Sequence, residues 1–193
     1  MELIRGIHNI LPSHHGCVLS IGNFDGVHTG HRSVIEMARK AEPDAMLGVV
    51  TFEPPPREFF FPDAAPFRLM SRSARASRLE KLGVDRLYEL RFDAELAALS
   101  PRGFAQEIIA DGLGLRHVVV GADFCFGKGR AGTADDLAGF GAQMGFGVTI
   151  APLKEHGEHT VSSTAIRAEL SAGRPRNAAA MLGHWHRIEG PVI

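Results

Sequence analysis

An α/β fold, a parallel sheet with helices on both faces, is what this 193-residue sequence predicts. Two observations carry the prediction. Short apolar runs of strand length alternate with longer segments of helical pattern, the arrangement that yields parallel strands joined by crossover helices. The glycine-rich segments fall directly after those apolar runs, where open α/β sheets bind their ligands.

Taken in order, Val18–Ile21 reads as a buried strand and residues 31–41 as the helix that follows it. Residues 46–52, Met-Leu-Gly-Val-Val-Thr-Phe, form a second apolar, partly β-branched run that Pro54, Pro55 and Pro56 end. Residues 71–82 read as a helix, with Leu79 and Leu82 as its core-facing pair and Gly83 as its stop. Residues 86–92 are the third strand. Residues 93–99 and 101–110 are two short helices, the second opened by Pro101, which suits a first helical turn. His117–Gly121 is the fourth strand, residues 133–144 a helix and Gly147–Ala151 the fifth strand. Residues 163–172 are helical again, and a further short helix runs to Leu182. The domain is therefore expected over residues 1–182, with 183–193 as an extended tail.

Composition narrows the function classes. Apolar content of 45% is ordinary for a globular chain and argues against disorder. A formal charge of −1 without a basic run excludes broad nucleic-acid binding by a positive field, though not a local phosphate pocket. Cys17 and Cys125 are the only cysteines, too few for a disulfide framework or a zinc site. No charged segment followed by an apolar one opens the chain, and no apolar run approaches a membrane span, so a cytoplasmic protein is expected. Histidines 14, 15, 156, 159, 184 and 186 lie in loop-like sequence and read as surface residues.

The segment after the first strand carries the most chemistry: Gly22-Asn23-Phe24-Asp25-Gly26-Val27-His28-Thr29-Gly30-His31. A strand, a glycine-rich turn and a helix start form an anion site, because unpaired backbone N–H groups and the helix dipole point the same way. Gly22, Gly26 and Gly30 allow a ligand close to the backbone. His28 and His31 share one side of the first helical turn. Such a pair suits chemistry on phosphate; a zinc reading lacks the H-E-x-x-H pattern and an evident third ligand. Asn23 and Asp25 are equally suited to capping or stiffening the turn.

His28-Thr29-Gly30-His31 resembles the H-x-G-H signature of the nucleotidyltransferase superfamily, and the longer stretch resembles the bacterial FAD synthetases. Three more segments match that family in order. They are Thr51-Phe52-Glu53-Pro54 with Pro56-Arg57, then Gly121-Ala122-Asp123-Phe124-Cys125-Phe126-Gly127 with Gly132, then Ser162-Ser163-Thr164-Ala165-Ile166-Arg167. An isolated H-x-G-H is weak; four ordered motifs are specific.

The resemblance implies a Rossmann-like nucleotidyltransferase fold and an FMN adenylyltransferase that makes FAD and pyrophosphate from FMN and ATP with Mg²⁺. It implies catalytic roles for His28, His31 and Arg167. It places ATP phosphates against Gly22, Phe24, Asp25, Gly26, Gly30, Ser162, Ser163 and Thr164, and flavin against Asp123, Phe124, Phe126 and Arg57. The hydroxyls at 162–164 suit helix capping as well as phosphate, and either phenylalanine can instead anchor its loop. In that family such a domain is usually followed by a riboflavin kinase, whose start the tail at 183–193 resembles. One departure stands out: the family commonly has Pro-His-Pro where this chain has Pro54-Pro55-Pro56. Two other readings remain open from the residues. One is a nucleotidyltransferase for another phosphorylated acceptor, such as nicotinamide mononucleotide or phosphopantetheine. The other is a weakly catalytic flavin- or nucleotide-binding module with a regulatory role.

Overall fold

The computed structural model describes residues 1–156 and 159–189. The strands and helices are β1 (Glu2–Arg5), β2 (Val18–Ile21), α1 (Thr29–Ala41), β3 (Leu47–Glu53), α2 (Pro56–Phe60), α3 (Arg72–Lys81), β4 (Arg86–Arg91) and α4 (Ala94–Ala98). They continue with α5 (Pro101–Gly103), β5 (His117–Gly121), β6 (Cys125–Phe126), β7 (Gly132–Thr133), α6 (Ala134–Met144) and β8 (Gly147–Ala151). Last come β9 (Glu155–His156), β10 (His159–Thr160), α7 (Ser163–Ser171) and α8 (Pro175–Leu182). One six-stranded sheet, ordered β1-β4-β3-β2-β5-β8 and parallel throughout, forms the centre. The α/β prediction is borne out.

β2 lies inside this sheet with all four residues buried, which is why its sequence, Ser20 apart, is apolar rather than alternating. Alternation reappears across the sheet's two faces. Val18, Val49, Leu87 and Val119 pack with Ile35 and Ala38 of α1 and Leu79 of α3. Leu19, Ile21, Val50, Tyr88 and Val118 pack on the other side, with Phe104, Ile109 and Leu137. Each fully buried Val or Leu of these layers contributes roughly 1.5–3 kcal/mol. Gly48 of β3 is required by this packing: a Cβ there would stand 2.2 Å from Leu19 Cδ2. A third cluster, Leu69, Val161, Ile166, Ala178, Met181 and Leu182, docks α7 and α8.

The helix ends follow local chemistry. Ser71, Asp93, Ser100, Thr133 and Ser162 cap α3, α4, α5, α6 and α7, each side chain accepting from a backbone N–H. Gly145 and Gly183 end α6 and α8 in the left-handed region.

Several elements differ from expectation. β1 is an edge strand with only Ile4 buried, so no apolar run announces it. The α5 segment continues as a π-helix over Phe104–Gly112, two residues past the expected end; the Leu113 N–H reaches Ile108 O, five residues back. The two-residue ladders β6/β7 and β9/β10 and the short α2 carry too little periodicity to be read in advance. His14 is buried rather than on the surface, its Nδ1 accepting from the Leu11 N–H. Residues 183–189 form no strand. They are strapped to the domain instead, with His184 Nε2 3.0 Å from Gly26 O and His186 Nε2 3.1 Å from Leu69 O. Both rings are half-buried, not free surface groups. The tail reading for 190–193 and the side chains of His156 and His159 lie outside the described residues. Among the described residues, no helix is long and apolar enough to cross a membrane.

Candidate active site

The strand order reverses direction between β2 and β5: β3 and β4 lie to one side of β2, β5 and β8 to the other. Loops diverge at such a point and leave a crevice beyond the carboxyl ends of the strands. The glycine-rich turn follows β2 and the Asp123 loop follows β5, so two of the four motifs flank that crevice.

The turn is held in a strained shape. Phe24 and Val27 both have positive φ, 49° and 41°, which a β-branched residue seldom adopts. Their side chains are 1% and 0% exposed, so packing enforces the conformation. Phe24 was expected against ATP. It lies instead beneath the turn, in the core, with its ring 4.8 Å from that of His31.

α1 begins at Thr29, two residues earlier than expected, because His28 itself is the N-cap. Its Nδ1 accepts from the His31 N–H at 3.2 Å. That contact assigns the tautomer: Nδ1 carries the lone pair, so the neutral ring holds its proton on Nε2. The His31 ring stacks on His28 with centroids 3.6 Å apart and planes 15° from parallel. Its Nδ1 is sealed from solvent without a partner. Burial pushes the His28 pKa down to about 4. Burial, and then His28 itself, hold His31 well below its usual range. Both rings are therefore neutral at pH 7. Each Nε2 is free of protein partners among the described residues and is not sealed from solvent. The result is a stacked pair of neutral imidazoles at a helix N-terminus, with the donor nitrogen of His28 fixed as Nε2.

Gly30 makes that stack possible. A Cβ at this position would stand 3.1 Å from both Cε1 and Nδ1 of His28. Gly26, with φ 86°, has no such room either: its Cβ would lie 2.9 Å from Leu69 Cδ1. Gly22 is less constrained, with only ordinary contact to Phe24.

The fourth motif is tied to the first. The Asp25 carboxylate accepts from the Leu69 N–H at 2.8 Å and from Arg167 Nη2 at 2.6 Å. Asp25 was expected at the phosphates, but its charge is occupied in positioning Arg167 and the 67–69 backbone. Arg167 Nε also donates to Phe67 O at 2.6 Å. Ser163 Oγ donates to Asp25 O at 2.8 Å, while Ser162 Oγ serves as the α7 cap. Thr164 is exposed at the start of that helix. Phe67, which no motif flagged, lies between two cations: Arg167 and Arg57 each place Cζ 4.8 Å from its ring centroid. The structure thus joins Arg57, Arg167, Asp25 and Ser163 into one assembly.

Arg57 also borders a cleft of about 420 Å³ that includes Pro54, Phe61, Pro66 and Phe67. Pro55, the departure from Pro-His-Pro, is buried as the N-cap of α2. In the loop after β5, Asp123 is exposed and Phe124 half-buried. Phe126 is 5% exposed in the core, 5.5 Å from Phe124 and nearly parallel to it, so it anchors the loop. Among the described residues, no hydrogen bond or ring pair joins Asp123, Phe124 or Phe126 to the histidine pair.

Sequence reasoning missed the ionic network under the turn. Arg75 of α3 is 4% exposed and donates to Glu53 at 3.1 Å, Glu89 at 3.3 Å and Asn23 O at 3.4 Å. Thr51 Oγ1 donates to the same Asn23 carbonyl at 3.3 Å. Arg72 and Arg5 pair with Glu89, and Arg68 with Glu53 and Glu58. These residues come from β1, β3, β4, α2, α3 and the segment before α3, so only the fold assembles them. A buried polar face on α3, centred on Arg75, is the one local signal.

A family model described as FAD synthetase matches residues 10–165. The bifunctional riboflavin kinase/FMN adenylyltransferase of Pseudomonas fluorescens is 46% identical over all of this chain and 62% of its own length. The protein of the same name from Escherichia coli (strain K12) is 40% identical over all of this chain and 63% of its own. The chain thus spans less than two thirds of these relatives. A crystal structure titled as a macrolide-efflux protein from Streptococcus pneumoniae superposes with a TM-score of 0.82 at 27% identity, covering 95% of this chain and 61% of that one.

Proposed function

This chain belongs to the FAD synthetase family, and from that premise we propose that it is an FMN adenylyltransferase, transferring AMP from ATP to FMN. In the reaction a phosphate oxygen of FMN attacks the α-phosphorus of ATP. The new P–O bond forms as the bond to the bridging α,β-oxygen breaks, and pyrophosphate leaves with that electron pair. No covalent enzyme intermediate is required, so the protein's task is alignment and charge stabilisation.

The observation that carries this reading is the stacked His28–His31 pair at the N-terminus of α1. Two neutral rings with outward Nε2–H groups donate to α-phosphate oxygens without a proton having to move. Their donors gain strength as charge gathers on those oxygens in the transition state. The backbone N–H groups of the Gly22–Gly30 turn add further donors. Arg167, aligned by Asp25, faces the departing pyrophosphate, with Ser162, Ser163 and Thr164 placing the α7 N-terminus beside it. Mg²⁺ bound with ATP would supply further neutralisation of the phosphate charge.

For the acceptor, Arg57 and the cleft beside it, with Asp123 and Phe124 across the crevice, supply aromatic and polar contacts suited to a flavin. The riboflavin kinase in the relatives' names forms no part of this proposal. Pyrophosphate release from ATP with Mg²⁺ is the test, with and without FMN, with FAD followed by chromatography. FMN-dependent release with equal FAD is expected. Release with another phosphorylated acceptor but not FMN overturns the flavin assignment, and flavin binding without release overturns the enzyme.

A further inference from the structure

We propose that the cleft between α3 and residues 184–187 is a second anion site, one that takes a phosphate or pyrophosphate group. The cleft holds about 200 Å³ and is lined by Ser77, Arg78 and Lys81 of α3, by Trp185 and Arg187, and by the apolar side chain of Leu69. Of the residues assigned to adenylyl transfer, only Gly26 touches it.

The cleft's charge is one-sided. Three cations line the cleft and no carboxylate does. Arg78 and Lys81 have no ion-pair partner among the described residues, and the Arg78 Nε is sealed from water with nothing to donate to. Arg187 pairs with Glu189 at 2.9 Å, outside the lining. Elsewhere, arginines from exposed Arg72 through half-buried Arg68 to buried Arg75 are matched to carboxylates, sharing Glu53, Glu58 and Glu89. A partly buried guanidinium beside like charge is costly unless an anion completes it. Burial, and then Arg32, lower the Arg78 pKa, which shows how little in its surroundings compensates the charge. A phosphate oxygen would accept from Arg78 in the forked geometry that guanidinium favours, while Lys81 adds a point charge and Ser77 a hydroxyl. The apolar wall strengthens each of these contacts by excluding water.

Position gives the site a consequence. His184, strapped to Gly26 O, precedes Trp185 at the rim of the cleft. An occupant therefore contacts the far side of the turn whose near side bears His28.

The chain contains one tryptophan, Trp185, so its emission reports on this cleft alone. Inorganic phosphate and pyrophosphate are each titrated against the whole chain at constant ionic strength, without nucleotide, FMN or Mg²⁺. A saturable change in emission with at least one of them, absent with chloride, is expected. Arg78→Gln and Lys81→Gln should each weaken it about tenfold, the worth of one charge-assisted hydrogen bond. His28→Ala should leave it unchanged. Lys81 is exposed, so its variant keeps the test sharp even if Arg78→Gln does not fold. Absence of saturation, equal response to chloride, persistence in the substituted variants, or loss in His28→Ala overturns the site. The readout is binding, so its failure is separate from failure of adenylyl transfer.

Discussion

If His28 and His31 act as proposed, removing either ring deletes a donor to the reacting phosphate. His28→Ala and His31→Ala should each cost about 3–4 kcal/mol of transition-state stabilisation, a fall of some hundred- to thousandfold in kcat. Pyrophosphate release measures this directly. Gly30→Ala tests the stack while keeping both imidazoles. Its Cβ meets His28 Cε1 and Nδ1 at 3.1 Å, so the ring must move. We expect kcat to fall at least about tenfold, since small misplacements at reacting groups are costly. Stability should change little by urea unfolding, because Gly30 is only half-buried. Unchanged turnover in Gly30→Ala would mean that the ring positions do not matter.

At the scale of elements, α3 and α7 brace the turn from two sides. α3 contributes Arg75, whose buried guanidinium joins Glu53, Glu89 and the Asn23 carbonyl. Arg75→Met leaves Glu89, itself 4% exposed, with less compensation, and breaking such a buried pair costs about 3–5 kcal/mol. Urea unfolding should show that loss, and a smaller one in Arg75→Lys, which keeps the charge. α7 contributes Arg167, whose aim depends on Asp25. Asp25→Asn weakens that ion pair while preserving size. The expected result is a raised KM for ATP with a smaller effect on kcat; an unchanged KM would separate Arg167 from the nucleotide.

For the whole molecule, the buried histidines link stability to pH. An unfolded histidine titrates near 6.5, whereas His28 in the fold titrates at about 4 and His31 well below its usual range. Between those values the unfolded chain binds the extra proton, so stability is complete above about pH 6.5 and is lost as pH falls through the folded pKa. Urea unfolding at pH 7.5 and pH 5 should show the lower stability at pH 5, with a smaller difference in His28→Gln.

The sequence by itself determined the sheet, its covering helices and the segments that carry the site. β2, β3 and β5 are apolar runs with sharp ends, and the motif after β2 states its own strand–turn–helix geometry. These signals are local, so the chain displays them in order. Other features had no local signature. The edge strand β1 buries one residue of four, and the π-helical segment differs from an α-helix only in its hydrogen-bond register. The roles within the site were also decided by tertiary structure. Phe24 and Asp25 sit in the motif beside His28, yet one packs beneath the turn and the other orients Arg167 from 142 residues away. Arg75 joins Glu53, Glu89 and Asn23, and Phe67 lies between Arg57 and Arg167, because separate strands and helices end at the same edge of the sheet. A motif names the residues near the chemistry. Which of them face the ligand and which hold the others in place depends on burial and partners that only the packed fold supplies.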